Sequence, residues 1–172
     1  VFSIKALNHS GGTERVTAIL SKELVERGHE VYVVSFVGGD KEPFFEMDSR
    51  VTLHYLAPTK DRYPFPVRDI RRIVLMRKLY KQIAPDVILI VDAGRSFVNI
   101  PAAKGYKVIT WEHFNVGVNW HLSHRLSRKI AAKFSDLIVT LTTSDAAAYK
   151  TQFGAKNTLC IYNPVTIDAT EP

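Results

Sequence analysis

Apolar runs the length of single strands recur along this chain, each followed by a segment of helical period. Residues 1–7 read as a strand, and residues 13–27 read as a helix with Val16, Ile19, Leu20, Leu24 and Val25 on one face. Gly28 then supplies the left-handed stop expected just past a helix end. Residues 31–36 form a second strand, apolar on both faces, as suits a parallel sheet covered on both sides. The same reading predicts strands over 51–56, 87–91, 107–112, 137–141 and 158–161, and helices over 67–84, 94–104, 122–134 and 144–153. Pro58, Pro64 and Pro66 make 57–66 a loop, Pro85 closes the helix before it, and Pro101 weakens the helix over 94–104. The helix over 122–134 carries Leu122, Leu126, Ile130 and Phe134 at i, i+4 spacing. Such alternation argues for an α/β chain with a doubly wound, mostly parallel sheet. Ligands of such sheets sit beyond the carboxyl ends of the strands. The loops to inspect are therefore 8–13, 37–41, 92–96, 112–120 and 142–144.

A length of 172 residues fits one domain, and 46% hydrophobic residues allow a substantial core. The net charge of +6 favours anionic partners: phosphorylated ligands, nucleic acid or an acidic membrane surface. Charge alone does not choose among them. The single cysteine, Cys160, cannot form an internal disulfide, so a reducing, cytoplasmic setting is the default. Its neighbours Leu159 and Ile161 suggest a buried strand and an inert core thiol. No signal peptide is visible, and no apolar run approaches the ~20 residues of a membrane span. The chain opens on Val1 already in a strand and stops just after a strand-like run, which leads us to expect a piece of something longer.

The turn "NHSGGTERV", Asn8 to Val16, excludes two nucleotide motifs. A Walker A loop needs Lys and Ser/Thr after its last glycine, whereas Gly12 is followed by Thr13 and Glu14. A dinucleotide fingerprint needs spaced glycines and an acidic end to the second strand, and that strand ends Val34-Ser35-Phe36. Two readings stay open. Gly11 and Gly12 either let the backbone approach phosphate or sugar oxygens closely, or they only shape the strand–helix turn, with Thr13 as cap.

The stretch "GGTERVTAILSKELVERGHEVYVVS" resembles the opening of family 4 glycosyltransferases of GT-B fold: a Gly-Gly-x-Glu turn, an amphipathic helix, then Gly-His-Glu-Val into the second strand. "APDVILI", "VITWEHFN" and "FSDLIVTLTTSDAAAYKTQFG" followed by "IYNPV" are similar to later segments of the family, in the family's order. The resemblance implies the Rossmann-like amino-terminal half of a two-domain enzyme, with residues 1–163 forming an acceptor-side domain and 164–172 the start of the interdomain linker. The donor-binding half, with its Glu-x7-Glu element, has no counterpart before Pro172, so the isolated chain is expected to be inactive. It also implies a nucleotide-diphosphate sugar as co-substrate, no further cofactor, a glycan or lipid-linked acceptor, and retention of configuration.

By the same resemblance, Gly11, Gly12, Glu14 and Arg15 face the donor phosphates and the reacting centre. His113 is the expected catalytic side chain, ending a buried strand where ligands sit. Glu112 either orients His113 or faces a helix, while Asn115 and Asn119 offer amides to sugar hydroxyls. Asp92, Gly94 and Arg95 follow the Pro-Asp-Val strand, and Arg95 either holds an anionic acceptor or lies on the surface. Thr143 and Ser144, at another strand end, either face substrate or cap the next helix. His121 and His124 stand at i, i+3, but no third ligand of matching context accompanies them, so no metal is expected.

Two segments are strongly basic: "VRDIRRIVLMRKLYKQI", with Arg68, Arg71, Arg72, Arg77, Lys78 and Lys81, and "HRLSRKIAAKF", with Arg125, Arg128, Lys129 and Lys133. They are either solvated faces or a surface for anionic lipid. Two further functions compete with the transferase. A nucleotide-sugar epimerase of the same fold would also use acidic and histidine residues in the cleft, as in Glu112-His113. A non-catalytic ligand- or RNA-binding module is the other, although no RNA motif or stacking platform accompanies the basic helices and no nucleic-acid partner is expected.

Overall fold

The computed structural model describes residues 1–57, 63–118 and 122–164. Seven strands form one sheet: β1 (Phe2–Ile4), β2 (Tyr32–Ser35), β3 (Thr52–Tyr55), β4 (Val87–Val91), β5 (Lys107–Glu112), β6 (Leu137–Thr140) and β7 (Thr158–Cys160). Every adjacent pair is parallel, and the order across the sheet is β3-β2-β1-β4-β5-β6-β7. The helices are α1 (Gly12–Glu26), α2 (Val67–Ile83), α3 (Ser96–Ala102), α4 (Leu122–Phe134) and α5 (Thr143–Phe153). This is a Rossmann-like α/β sheet, as the alternation predicts.

The period of two along each strand divides the core between the two faces of the sheet. Phe2, Ile4, Val33 and Val91 pack with Leu20 and Leu24 of α1 on one face. Val34, Ile88, Ile90 and Val108 pack with Met76, Tyr80, Val98 and Ala102 of α2 and α3 on the other. On that second face Ala131, Ala132 and Tyr149 of α4 and α5 cover Ile138. Strand order reverses between β1 and β4, so the chain leaves those two strands toward opposite faces. The crevice beyond their carboxyl ends is where such sheets bind ligands.

Several local expectations are revised. The first helix begins at Gly12 with Gly11 as its N-cap and no side-chain cap bond, so Thr13 does not cap it. Gly28, at φ 84°, ends that helix as expected, with the His29 N–H bonded to the Leu24 carbonyl. The segment after β4 is a 3-10 turn, Ala93–Arg95, before α3, and Pro101 lies inside α3 near its end. Cys160 is half-buried rather than buried, because β7 is the sheet edge and leaves its neighbours Leu159 and Ile161 exposed.

The apolar stripe of α4 faces outward. Leu122 is 85% exposed, and Leu126 and Phe134 are also exposed, whereas Ser127, Arg128, Ala131 and Ala132 form the inward face. The basic segments likewise divide. Arg72 is buried against the Phe36 ring and Arg128 is buried between α4 and the loop after β5, so neither belongs to a solvated face. Pro58, Asn119, His121 and the expected linker from residue 165 onward lie outside the described residues.

Candidate active site

A cavity of about 1090 Å³ opens at the carboxyl ends of β1, β4 and β5. One wall is the turn after β1: His9, Gly11, Gly12, Thr13 and Glu14. A second is the turn after β4, with Asp92, Gly94 and Arg95; a third is His113 and Phe114 after β5. The amino-terminal turns of α2 and α4 close the sides with Arg68, Asp69 and Arg72, and with Ser123, His124 and Ser127. Asn163 also reaches the lining.

The paired glycines have a local explanation. The Glu14 carboxylate folds back over Gly11, and a Cβ at Gly11 would overlap its Oε2. The Thr13 hydroxyl donates to that same oxygen at 2.6 Å. Glu14 is thereby buried at the positive end of α1. The first-turn N–H groups of a helix have no intrahelical partners, and here that turn borders the cavity. A Cβ at Gly12 would meet nothing, so Gly12 is free of this constraint.

His113 stands just past β5, its ring 4.9 Å from that of Trp111, which lies on the same face of the strand. Burial pushes its imidazole down to about 4, so it is neutral at physiological pH. Nε2 is buried and makes no hydrogen bond among the described residues. A neutral imidazole can donate or accept one hydrogen bond there, according to tautomer.

Glu112 points the other way, because neighbouring strand residues alternate. Its Oε2 accepts from Arg128 Nε at 2.7 Å and from the Tyr149 hydroxyl at 2.7 Å, and its Oε1 accepts from the Phe114 N–H at 3.1 Å. Burial pushes the Glu112 carboxyl up, while Arg128, Tyr149 and the Phe114 N–H pull against that. Glu112 therefore faces helices, the second of the two places open to it in the sequence, and is not among the substrate-facing residues that line the cavity. Arg128 spends its remaining N–H groups on the loop carrying His113. Nη1 donates to the carbonyls of Val116 and Val118, and Nη2 to those of Phe114 and Asn115. Asp145 of α5 adds an acceptor for the Val116 N–H at 2.9 Å.

Four other expected residues lie off the cavity. Asn115 turns inward on its own loop, accepting from the Gly117 N–H at 2.7 Å. Arg15 sits with its guanidinium 6.0 Å from the Phe45 ring centroid. Thr143 and Ser144 are exposed in the first turn of α5; Thr142 is the cap, and the Ser144 hydroxyl bonds to it. Gly11, Gly12, Glu14, Arg95 and His113 do come together. Among the described residues no cluster of three or more acidic, cysteine or histidine side chains has a metal-holding arrangement, and His121 lies outside them. The sequence marked Asp92 only as following its strand, and His124 only as the i, i+3 neighbour of His121; neither reading brings the two together in one cavity.

Residues 10–169 match Glycosyltransferase Family 4, and the chain belongs to that family. It is 28% identical over 171 residues to an uncharacterized glycosyltransferase of Haemophilus influenzae, covering 96% of this chain and 47% of the relative. The chain spans about half the length of the curated relatives it matches. Its fold is similar to that of the lipopolysaccharide outer core galactosyltransferase WaaB in its apo form (TM-score 0.75, 16% identity, 98% of this chain and 46% of the other). It is also similar to UDP-N-acetylglucosamine 2-epimerase from Rickettsia bellii (TM-score 0.64, 14% identity, 92% of this chain and 44% of the other).

Proposed function

We propose that this chain is the acceptor-side half of an enzyme that moves a sugar from a nucleotide-diphosphate donor to a hydroxyl of a glycan or lipid-linked acceptor, with retention of configuration. The observation that carries the reading is the neutral, buried His113, which lines the same cavity that the Gly11-Gly12 turn borders. In this reading His113 donates to a donor-sugar hydroxyl near the transfer centre. The first turn of α1 faces the donor phosphates, and Glu14 is held beside them by Thr13. Arg95 borders the acceptor. Most of the diphosphate charge is neutralised by a second domain, so the chain by itself binds donor weakly and does not transfer. No further cofactor is assigned.

Epimerase chemistry shares the fold, and its similarity to one solved structure keeps it a defined competitor. The family match favours transfer. So does Glu112, which on this side would have to join His113 in an epimerase cleft and is instead bound to Arg128 and Tyr149.

The reading extends to the membrane. No helix among the described residues is long and apolar enough to cross one. Yet α4 exposes Leu122, Leu126 and Phe134 beside exposed Arg125, Lys129 and Lys133, and α2 exposes Val67, Ile70 and Val74 near Lys78 and Lys81. Apolar side chains among cations suit the surface of an anionic leaflet, where a lipid-linked acceptor would be met.

The test uses the full-length protein. A panel of UDP-, GDP- and dTDP-sugars is incubated with octyl glycosides and with membrane lipid extracts, and nucleoside diphosphate and glycosylated product are measured. Product is expected, with His113→Ala lowering turnover strongly while the circular dichroism spectrum is unchanged. Formation of an epimerised sugar, free or still attached to its nucleotide, or turnover indifferent to His113→Ala, overturns the assignment.

A further inference from the structure

Asp92 and His124 line the crevice but have no part in the reading above. Asp92 ends β4 with φ 85° and ψ 110°, a region that side-chain-bearing residues rarely adopt. Its Oδ1 accepts from the Gly94 N–H at 2.7 Å, which holds the carboxylate over its own turn. His124 arrives from the first turn of α4, and its Nε2 stands 3.7 Å from that same Oδ1. Gly94 lies beneath them. A Cβ there would overlap Nε2 and Cδ2 of His124, so the imidazole reaches the carboxylate only because this residue is glycine.

A separation of 3.7 Å is too long for a direct hydrogen bond. It suits a pair of groups that share a third. An oxygen about 2.8 Å from each can donate its proton to Asp92 Oδ1 and accept from a Nε2–H of His124. A hydroxyl has that capacity, one donor with two lone pairs, whereas an unprotonated phosphate or carboxylate oxygen would be repelled by the aspartate. A site built to bond a hydroxyl at both its proton and its lone pair also rejects ligands lacking one.

We propose that Asp92 and His124 form a subsite that binds and orients the acceptor's attacking hydroxyl, with Gly94 as the floor that admits the imidazole. The position agrees with the chemistry: the pair lies at the reversal of strand order, in the same cavity as His113. The two groups fix the direction of the oxygen's lone pairs, which is a large part of what a transferase does for its acceptor. This rests on the glycosyltransferase reading.

The full-length enzyme tests it, with the donor and acceptor that the panel assay identifies. Transfer to acceptor and acceptor-independent hydrolysis of the donor are both measured. Asp92→Asn keeps an oxygen for the Gly94 N–H and loses the charge. It should melt close to wild type, hydrolyse donor at the wild-type rate, and lose about 10- to 100-fold in kcat/KM for acceptor. His124→Leu should show the same selective loss. Gly94→Ala, which displaces the imidazole, should show a smaller one. Unchanged transfer by Asp92→Asn overturns the proposal, as does an equal fall in hydrolysis and transfer, which would place the pair on the donor or in the scaffold. A wild-type enzyme without transfer in the panel assay defeats the transferase reading itself, a separate outcome.

Discussion

Arg128 Nε lies 2.7 Å from Glu112 Oε2, and both side chains are about 1% exposed or less. A buried ion pair of this kind gains little over a well-packed apolar pair, but removing one partner strands a charge. Here the pair is also tied to the loop after β5, since the other guanidinium N–H groups bond carbonyls from Phe114 to Val118.

Arg128→Met should therefore cost about 3–5 kcal/mol of stability, read from urea unfolding. Adding Glu112→Leu should return part of that loss, because the uncompensated carboxylate is gone. Equal stability of the single variant and wild type would mean that the pair contributes nothing.

His113 gives a pH dependence of defined sign. Its folded value is depressed to about 4 from an ordinary 6.5, so below 6.5 the unfolded chain binds a proton that the folded one refuses. The stabilisation is complete above 6.5 and is lost as pH falls toward 4. Relative to a His113→Gln variant, wild type should lose about 2 kcal/mol between pH 7.5 and pH 5. Parallel stability profiles for the two proteins would contradict the burial of this imidazole.

Gly11→Ala places a methyl group where the Glu14 carboxylate lies. The obstructing atoms are the far end of a flexible side chain, so the fold should survive with its melting temperature little changed. Turnover of the full-length enzyme should fall as it does in Glu14→Gln. A Gly11→Ala enzyme with full activity alongside an impaired Glu14→Gln would show that the carboxylate's position over Gly11 is unimportant.

Leu122→Glu with Phe134→Glu alters only exposed positions of α4 outside the cavity, so stability should hold. Co-sedimentation with vesicles containing anionic phosphatidylglycerol should drop, and wild-type binding should weaken as salt rises. Binding indifferent to lipid charge would remove the leaflet from the proposal.

The strands were legible because a parallel sheet buried on both faces demands unbroken apolar runs, and residues 87–91 and 107–112 form β4 and β5 as read. Helix α4 was legible in extent and not in orientation. Its inward face is built of Ala131, Ala132, Ser127 and Arg128, and small residues under a close-packed helix carry no hydrophobic signal. Of the candidate site, His113 was legible from its strand end only together with the family resemblance. The direction of Glu112 follows from alternation, yet its partners Arg128 and Tyr149 come from two later helices that only the fold brings near. Asp92 and His124 meet for the same reason, across a glycine whose purpose is invisible without the imidazole above it.

Glu112, Arg128 and Tyr149 also constrain how such a chain can diverge. Each holds a hydrogen bond that another would lose, so a lineage cannot trade them away singly without passing through a poorly folded ancestor. Descendants should keep all three or replace them together. The acidic residue beside the histidine thus belongs to a buried joint between β5, α4 and α5, and its persistence would report on that joint and not on the ligand.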